Sequence, residues 1–240
     1  MDENQETKAE EVKQDTKVEE TQQDTETKKE SELEKETVKT INEAKEKMKN
    51  INLKEEAEAG KGLLKKLWDK PVETIKEVAD DKENKTFKTA LLLVIVWAII
   101  EFVKMVLHYV TSKYADFEFL PTLRVAIVPI IRVIAMTLAL YLINNRAKQS
   151  ISKVLTSVSI AYTPSVIYSF VYLLHFISYR MDTILIPIGG LLGVVSTVLM
   201  YQTVKAFSDE KEENILKKFV KVEAVYYIIA FVISFLGISI

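Results

Sequence analysis

Residues 89–110 read TALLLVIVWAIIEFVKMVLHYV, twenty-two positions among which only Glu101 and Lys104 carry a charge. At a rise of about 1.5 Å per residue such a helix crosses the roughly 30 Å hydrocarbon core of a bilayer. The stretch therefore sets the class, an all-α polytopic membrane protein. Four more apolar runs follow at about 120–143, 153–176, 184–206 and 222–240, and predict a five-helix transmembrane bundle with short connections. Helices satisfy their own backbone groups, as the bilayer demands.

The composition upstream is of another kind. Residues 1–88 carry 25 acids and 19 bases, residues 89–240 carry 9 acids and 13 bases, and the overall net charge of −2 describes neither part. Residues 1–60 are expected to be a disordered or weakly helical charged cytoplasmic tail, because the first three dozen positions offer almost nothing to bury. Val38, Ile41, Ala44, Met48 and Ile51 recur every three or four residues, which suits a weakly amphipathic helix or a short coiled coil, and Gly60 and Gly62 are expected to interrupt it. The chain starts without a basic stretch followed by an apolar core, so the first span is expected to direct insertion.

Residues 61–86 read as an amphipathic interfacial segment. Leu63, Leu64, Leu67 and Trp68 lie together on a helical face with Lys65, Lys66 and Lys70 beside them. Tryptophan at the boundary and lysines among anionic headgroups mark a helix lying in the membrane surface, so Trp68, Lys65 and Lys66 are the expected interfacial anchors. A soluble helix pair packed on the cytoplasmic loops is the alternative. Pro71 is well placed to start a second short helix carrying Val72, Ile75 and Val78.

Residues 87–240 form the membrane domain, and its loops set the expected orientation. Arg146, Lys148 and Lys153, then Lys205, Lys211, Lys217, Lys218 and Lys221, and Lys82, Lys85 and Lys88 would all lie on one side, with only Lys113 and Arg180 on the other. The positive-inside rule then gives a bacterial plasma-membrane protein, multi-pass, with its N-terminus in the cytoplasm and its C-terminus outside.

An intramembrane polar network is expected from Glu101, Lys104, His108 and Arg132. Arg132 falls about halfway along the second span, where an arginine costs about 2.5–3.5 kcal/mol on insertion scales and needs a partner. Pairing Val110 with Leu120 across the outer loop sets Glu101 opposite Pro129, within a turn of Arg132, so a buried Glu101–Arg132 pair is predicted. Lys104 and His108 extend the stripe at i+3 and i+7. The stripe fits either a hydrated cavity or a structural seam that fixes helix register.

Small and kinking residues should shape the packing. Gly189, Gly193 and Thr197 recur every four residues, a spacing that lets helices approach closely, within one chain or in a dimer. Pro164, with Ser157, Ser159, Thr163, Ser165 and Ser169, should kink the third span and favour a buried place for it.

Chemistry is sparse. There is no cysteine, the two histidines sit in apolar runs, and no phosphate loop, HExxH or nucleophile elbow is present, so no metal, no cofactor and no enzymatic activity are expected. Nucleic acid is not expected as a ligand either, because the basic residues are confined to membrane-flanking loops without interleaved aromatics.

The stretches LWDKPVETIKEVADD (67–81), SVSIAYTPSVIYSF (157–170) and LLGVVSTVLMYQTVKAF (191–207) resemble the Yip1 family of five-span membrane proteins in its bacterial form. Pro71, Thr74 and Pro164 stand at the family's proline, threonine and proline positions, and the resemblance covers about residues 63–236. The Asp-Leu-Tyr-Gly-Pro type signature of eukaryotic members, which bind small GTPases, is missing. The resemblance implies a non-enzymatic scaffold or assembly partner of a membrane complex, such as an ABC-type exporter. Its partners would be the lipid bilayer and a protein in the membrane, with a homo-oligomer as a further option. A small transporter or channel using the polar seam between spans 1 and 2 is the competing reading.

Overall fold

The computed structural model describes residues 52–112, 116–144 and 150–234, together with Val38 and Asn42. The chain divides into two units, 1–49 and 50–240. In the first, Val38 and Asn42 are helical and exposed; the other residues of the expected 1–60 tail lie outside the described residues up to 51, and 53–60 belong to a helix of the second unit.

In the second unit all regular structure among the described residues is helical: α1 (Leu53–Asp69), α2 (Pro71–Asp80), α3 (Phe87–Thr111), α4 (Phe119–Ile143), α5 (Ile151–Ala161), α6 (Thr163–Val171), α7 (Asp182–Ala206) and α8 (Glu212–Ser234). Short 3₁₀ turns at Tyr172–Phe176 and Tyr179–Met181 link α6 to α7. Four stretches are long and apolar enough to cross a membrane: α3, α4, the α5–α6 pair with its following turn, and α7. The expected fifth span differs. Its helix begins at Glu212, ten residues before the apolar run, because Glu, Lys and Leu are good helix formers whether or not they suit a bilayer. Lys217, Lys218, Lys221 and Glu223 dilute its first half, and residues 235–240 lie outside the described residues.

The third span is the core of the bundle. In its most apolar stretch 61% is buried, against 17%, 50% and 22% for α3, α4 and α7. Some of its hydroxyls are satisfied within their own helix, Thr156 donating to the Ser152 carbonyl and Ser159 to the Leu155 carbonyl, whereas Ser157 Oγ and Thr163 Oγ1 are buried without a partner. The helix is interrupted just before Pro164. α5 ends at Ala161 and α6 restarts at Thr163 with the proline in its first turn, where its missing N–H costs nothing. α3, α4, α2 and α7 surround this broken helix, and α8 lies mainly against α4.

Glycines 60 and 62 do not interrupt the segment before the bundle. α1 runs through both, carried by flanking Ala, Glu, Lys and Leu against a cost of about 1 kcal/mol per glycine. Its apolar residues divide by face: Leu63 and Leu67 are buried, whereas Leu64 and Trp68 point outward, Trp68 being 83% exposed. α2 starts at Pro71 as expected, and Ile75 and Val78 are buried where α2 meets α5 and α7. The Thr74 hydroxyl donates to the Lys70 carbonyl at 2.7 Å and fastens the turn between α1 and α2. The helix pair is docked on the bundle and turns an aromatic residue outward.

The link from α2 to α3 is a tight turn. Asp81 accepts from the backbone N–H of Glu83 at 3.0 Å and Lys85 at 2.6 Å, and Asn84 takes a left-handed conformation at φ 50°, which asparagine tolerates better than most residues. Thr89 at the start of α3 donates to Glu56 of α1 at 2.7 Å, closing the triangle.

Candidate polar seam within the bundle

Glu101 and Lys104 lie one turn apart on α3 and pair with each other. Lys104 Nζ donates to both carboxylate oxygens, at 3.0 and 2.9 Å, with side chains only 20% and 16% exposed for the lysine and the glutamate. The Ser169 hydroxyl of α6 donates to Glu101 Oε1 at 2.7 Å and accepts from the Trp97 indole N–H at 3.0 Å. One serine therefore ties two side chains of α3 to the core helix.

Arg132 lies elsewhere than expected. The predicted Glu101–Arg132 pair does not form, since the carboxylate is already taken by Lys104 and Ser169. The guanidinium instead stands 5.9 Å from the ring centre of Trp97, about one helical turn from Glu101, and interacts with the Tyr226 phenol of α8. A guanidinium over an aromatic face is attracted by the ring quadrupole, more strongly where water is scarce. Tyr162, the residue at the break between α5 and α6, packs against Trp97 with ring centres 5.6 Å apart. The proline-induced break thus places an aromatic ring beside the arginine's platform. Arg132 Nε and Thr163 Oγ1 are buried without a hydrogen-bond partner.

The seam continues away from Arg132 through side chains that the sequence did not mark out. Lys104 Nζ lies 5.1 Å from the Tyr172 ring centre, Tyr172 stacks on His175 at 5.1 Å with planes 9° apart, and His175 Nδ1 meets an Asp182 carboxylate oxygen. Asp182 opens α7, where a negative charge suits the helix N-terminus. His108, expected in the stripe, is exposed near the end of α3 and makes an edge contact with the Tyr109 ring. His175 is the histidine that joins the seam. Ser169 was visible in sequence as one of several third-span hydroxyls, but nothing there distinguished it from Ser165, which pairs with Ser196 of α7 at 3.0 Å.

The small-residue face also divides. A Cβ on Gly189 would fall 2.5 Å from Tyr168 Cζ, so this glycine is where α6 and α7 approach. Gly193 has open space around it and Thr197 is exposed, its hydroxyl donating to the Gly193 carbonyl at 3.0 Å. The expected three-residue packing face is one intramolecular contact and two outward positions.

The interfacial anchors Trp68, Lys65 and Lys66 are all exposed, and Lys66 pairs on the surface with Glu77 of α2 at 3.2 Å.

Glu101 is paired with the lysine on its own helix, and the buried Ser169 hydroxyl donates to that carboxylate while accepting a hydrogen bond from the Trp97 indole N–H. Among the described residues no group of three or more His, Asp or Glu side chains could hold a metal ion. Comparison with family models, curated proteins and solved structures finds no match to the chain.

Proposed function

We propose that this chain is a non-enzymatic integral membrane scaffold of the Yip1 type, serving as an assembly or accessory partner of a membrane complex such as an ABC-type exporter. The observation that carries this reading is the docked α1–α2 pair. It is fixed to the bundle through Ile75, Val78 and the Thr89–Glu56 hydrogen bond, yet presents Leu64, Trp68 and Val72 outward, four residues apart. An element held rigidly on the bundle and left open on its other side suits recruitment at the membrane surface better than turnover of a substrate. The self-contained Glu101–Lys104–Ser169 cluster supports the same reading, because its groups are engaged with one another. The excess of lysine and arginine at the helix ends bearing residues 82–88 and 205–221 supports placing that end, with the N-terminus, in the bacterial cytoplasm and the C-terminus outside.

The test is crosslinking and co-purification from native membranes in mild detergent, comparing the full chain with one lacking residues 1–52, which spares α1. Recovery of a stoichiometric membrane partner that depends on the tail or on Trp68 is the expected result. A chain that emerges alone from both preparations would overturn the scaffold reading. Ion flux in liposomes that is lost on Glu101→Gln would then favour the transport reading.

A further inference from the structure

At the lysine-rich end of the bundle, a cavity of about 420 Å³ lies between the last turn of α4 and the first turns of α8. Its apolar wall is Leu142 and Ile143, and its polar wall is Asn214 with Lys217, Lys218 and Lys221, which share one face of α8. Glu210 is the single acid lining it, so the cavity carries an excess of two positive charges. Of the two acids that open α8, Glu212 accepts from Lys205 of α7, a bond that holds its carboxyl below the usual carboxylate range, and Glu213, one turn before Lys217, does not line the cavity. Lys218 donates to the Ser208 hydroxyl at 3.1 Å, and Lys217 and Lys221 form no ion pair with any described residue.

Depth gives the cavity its meaning. α4 is a helix of membrane-spanning length that ends at Ile143, so the lysines facing its last two residues stand where hydrocarbon gives way to headgroups. Leu216 and Val220, between and beside the lysines on α8, are exposed. A headgroup bearing a phosphate and hydroxyls, attached to acyl chains that continue down an apolar helix surface, matches both walls.

We infer that the α4–α8 cavity is a binding site for the phosphate headgroup of an anionic phospholipid. Basic pockets between spanning helices are suited to such headgroups, each lysine near the surface being worth about a fivefold gain in affinity. The site is separate from the polar seam and from the α1–α2 surface, and stands whether or not a protein partner exists.

The full chain, delipidated in neutral detergent, is titrated with phosphatidylglycerol or with phosphatidylcholine of the same acyl length, and bound lipid is counted by native mass spectrometry. Phosphatidylglycerol should bind about tenfold tighter than phosphatidylcholine, or better. The combined change Lys217→Gln, Lys218→Gln and Lys221→Gln should weaken it on the order of a hundredfold. Lys82→Gln with Lys85→Gln, neither of which lines the cavity, should leave it unchanged. sn-Glycerol 3-phosphate and inorganic phosphate should fail to compete. If either displaces the lipid at comparable concentration, the ligand is a soluble phosphate compound and the lipid assignment falls. Equal binding of the two lipids, or full retention by the triple variant, would also overturn it. Should the triple variant not fold, exposed Lys217→Gln and Lys221→Gln singly should each lose about fivefold, and undiminished binding by both would exclude the cavity as the lipid site.

Discussion

Lys104 and Arg132 are both cations among apolar helices, and the protein accommodates them in opposite ways. Lys104 finds its counter-charge three residues back on the same helix. Arg132 pairs with no carboxylate among the described residues; it lies over the Trp97 face on α3 and interacts electrostatically with the Tyr226 phenol on α8. The first solution is local and forms with the helix itself, since residues three apart are neighbours on its surface. The second exists only once three helices have assembled. Arg132 therefore depends on tertiary structure for its solvation, and Lys104 does not.

The sharpest way to break the contrast is to leave Lys104 without its partner. Glu101→Leu should destabilise the bundle by about 3–5 kcal/mol, as removal of one member of a buried pair does, while Glu101→Leu with Lys104→Leu should recover most of that loss. Folded yield and the midpoint of detergent-induced unfolding measure both. Equal losses from the single and double variants would mean that the pair does not neutralise Lys104.

Next comes a double-mutant cycle between Arg132→Leu and Trp97→Leu, which should return a coupling of about 0.5–2 kcal/mol, against essentially none between Arg132→Leu and Glu101→Leu. The reverse ranking would restore the ion pair expected from sequence. The smallest effect is Tyr226→Phe, which removes a phenol electrostatically coupled to the guanidinium and should cost at most about 1 kcal/mol. It should cost nothing in an Arg132→Leu background.

These two cations also show what the sequence could convey. Counting back from the outer loop placed Glu101 opposite Pro129, and the observed contact between Trp97 and Arg132 agrees with that register to within a residue. Depth was legible because helix rise is constant. Direction was not, because a long side chain can reach a turn up or down, and the choice rests on what already occupies each place. The aromatic platform was equally hidden, since tryptophan and tyrosine in an apolar run read as ordinary filling. Span edges were legible to a few residues where polarity changes abruptly, as at Thr111. They were misjudged at Glu212, where charged helix formers let the helix run past the apolar segment. Glycine spacing revealed a close approach at Gly189 and overstated it at Gly193, because the spacing fixes which residues share a face but not where the neighbouring helix crosses it.

The chain holds two tryptophans, and the fold has assigned them to opposite environments: Trp97 is 3% exposed beneath Arg132, and Trp68 is 83% exposed on the outer side of α1. The protein thus carries two intrinsic fluorophores that report on separate questions. Emission from Trp97 follows the integrity of the interior, and emission from Trp68 follows whatever settles on the surface. With Trp97→Phe in place, brominated lipids or a docking protein would register through a single dye-free signal.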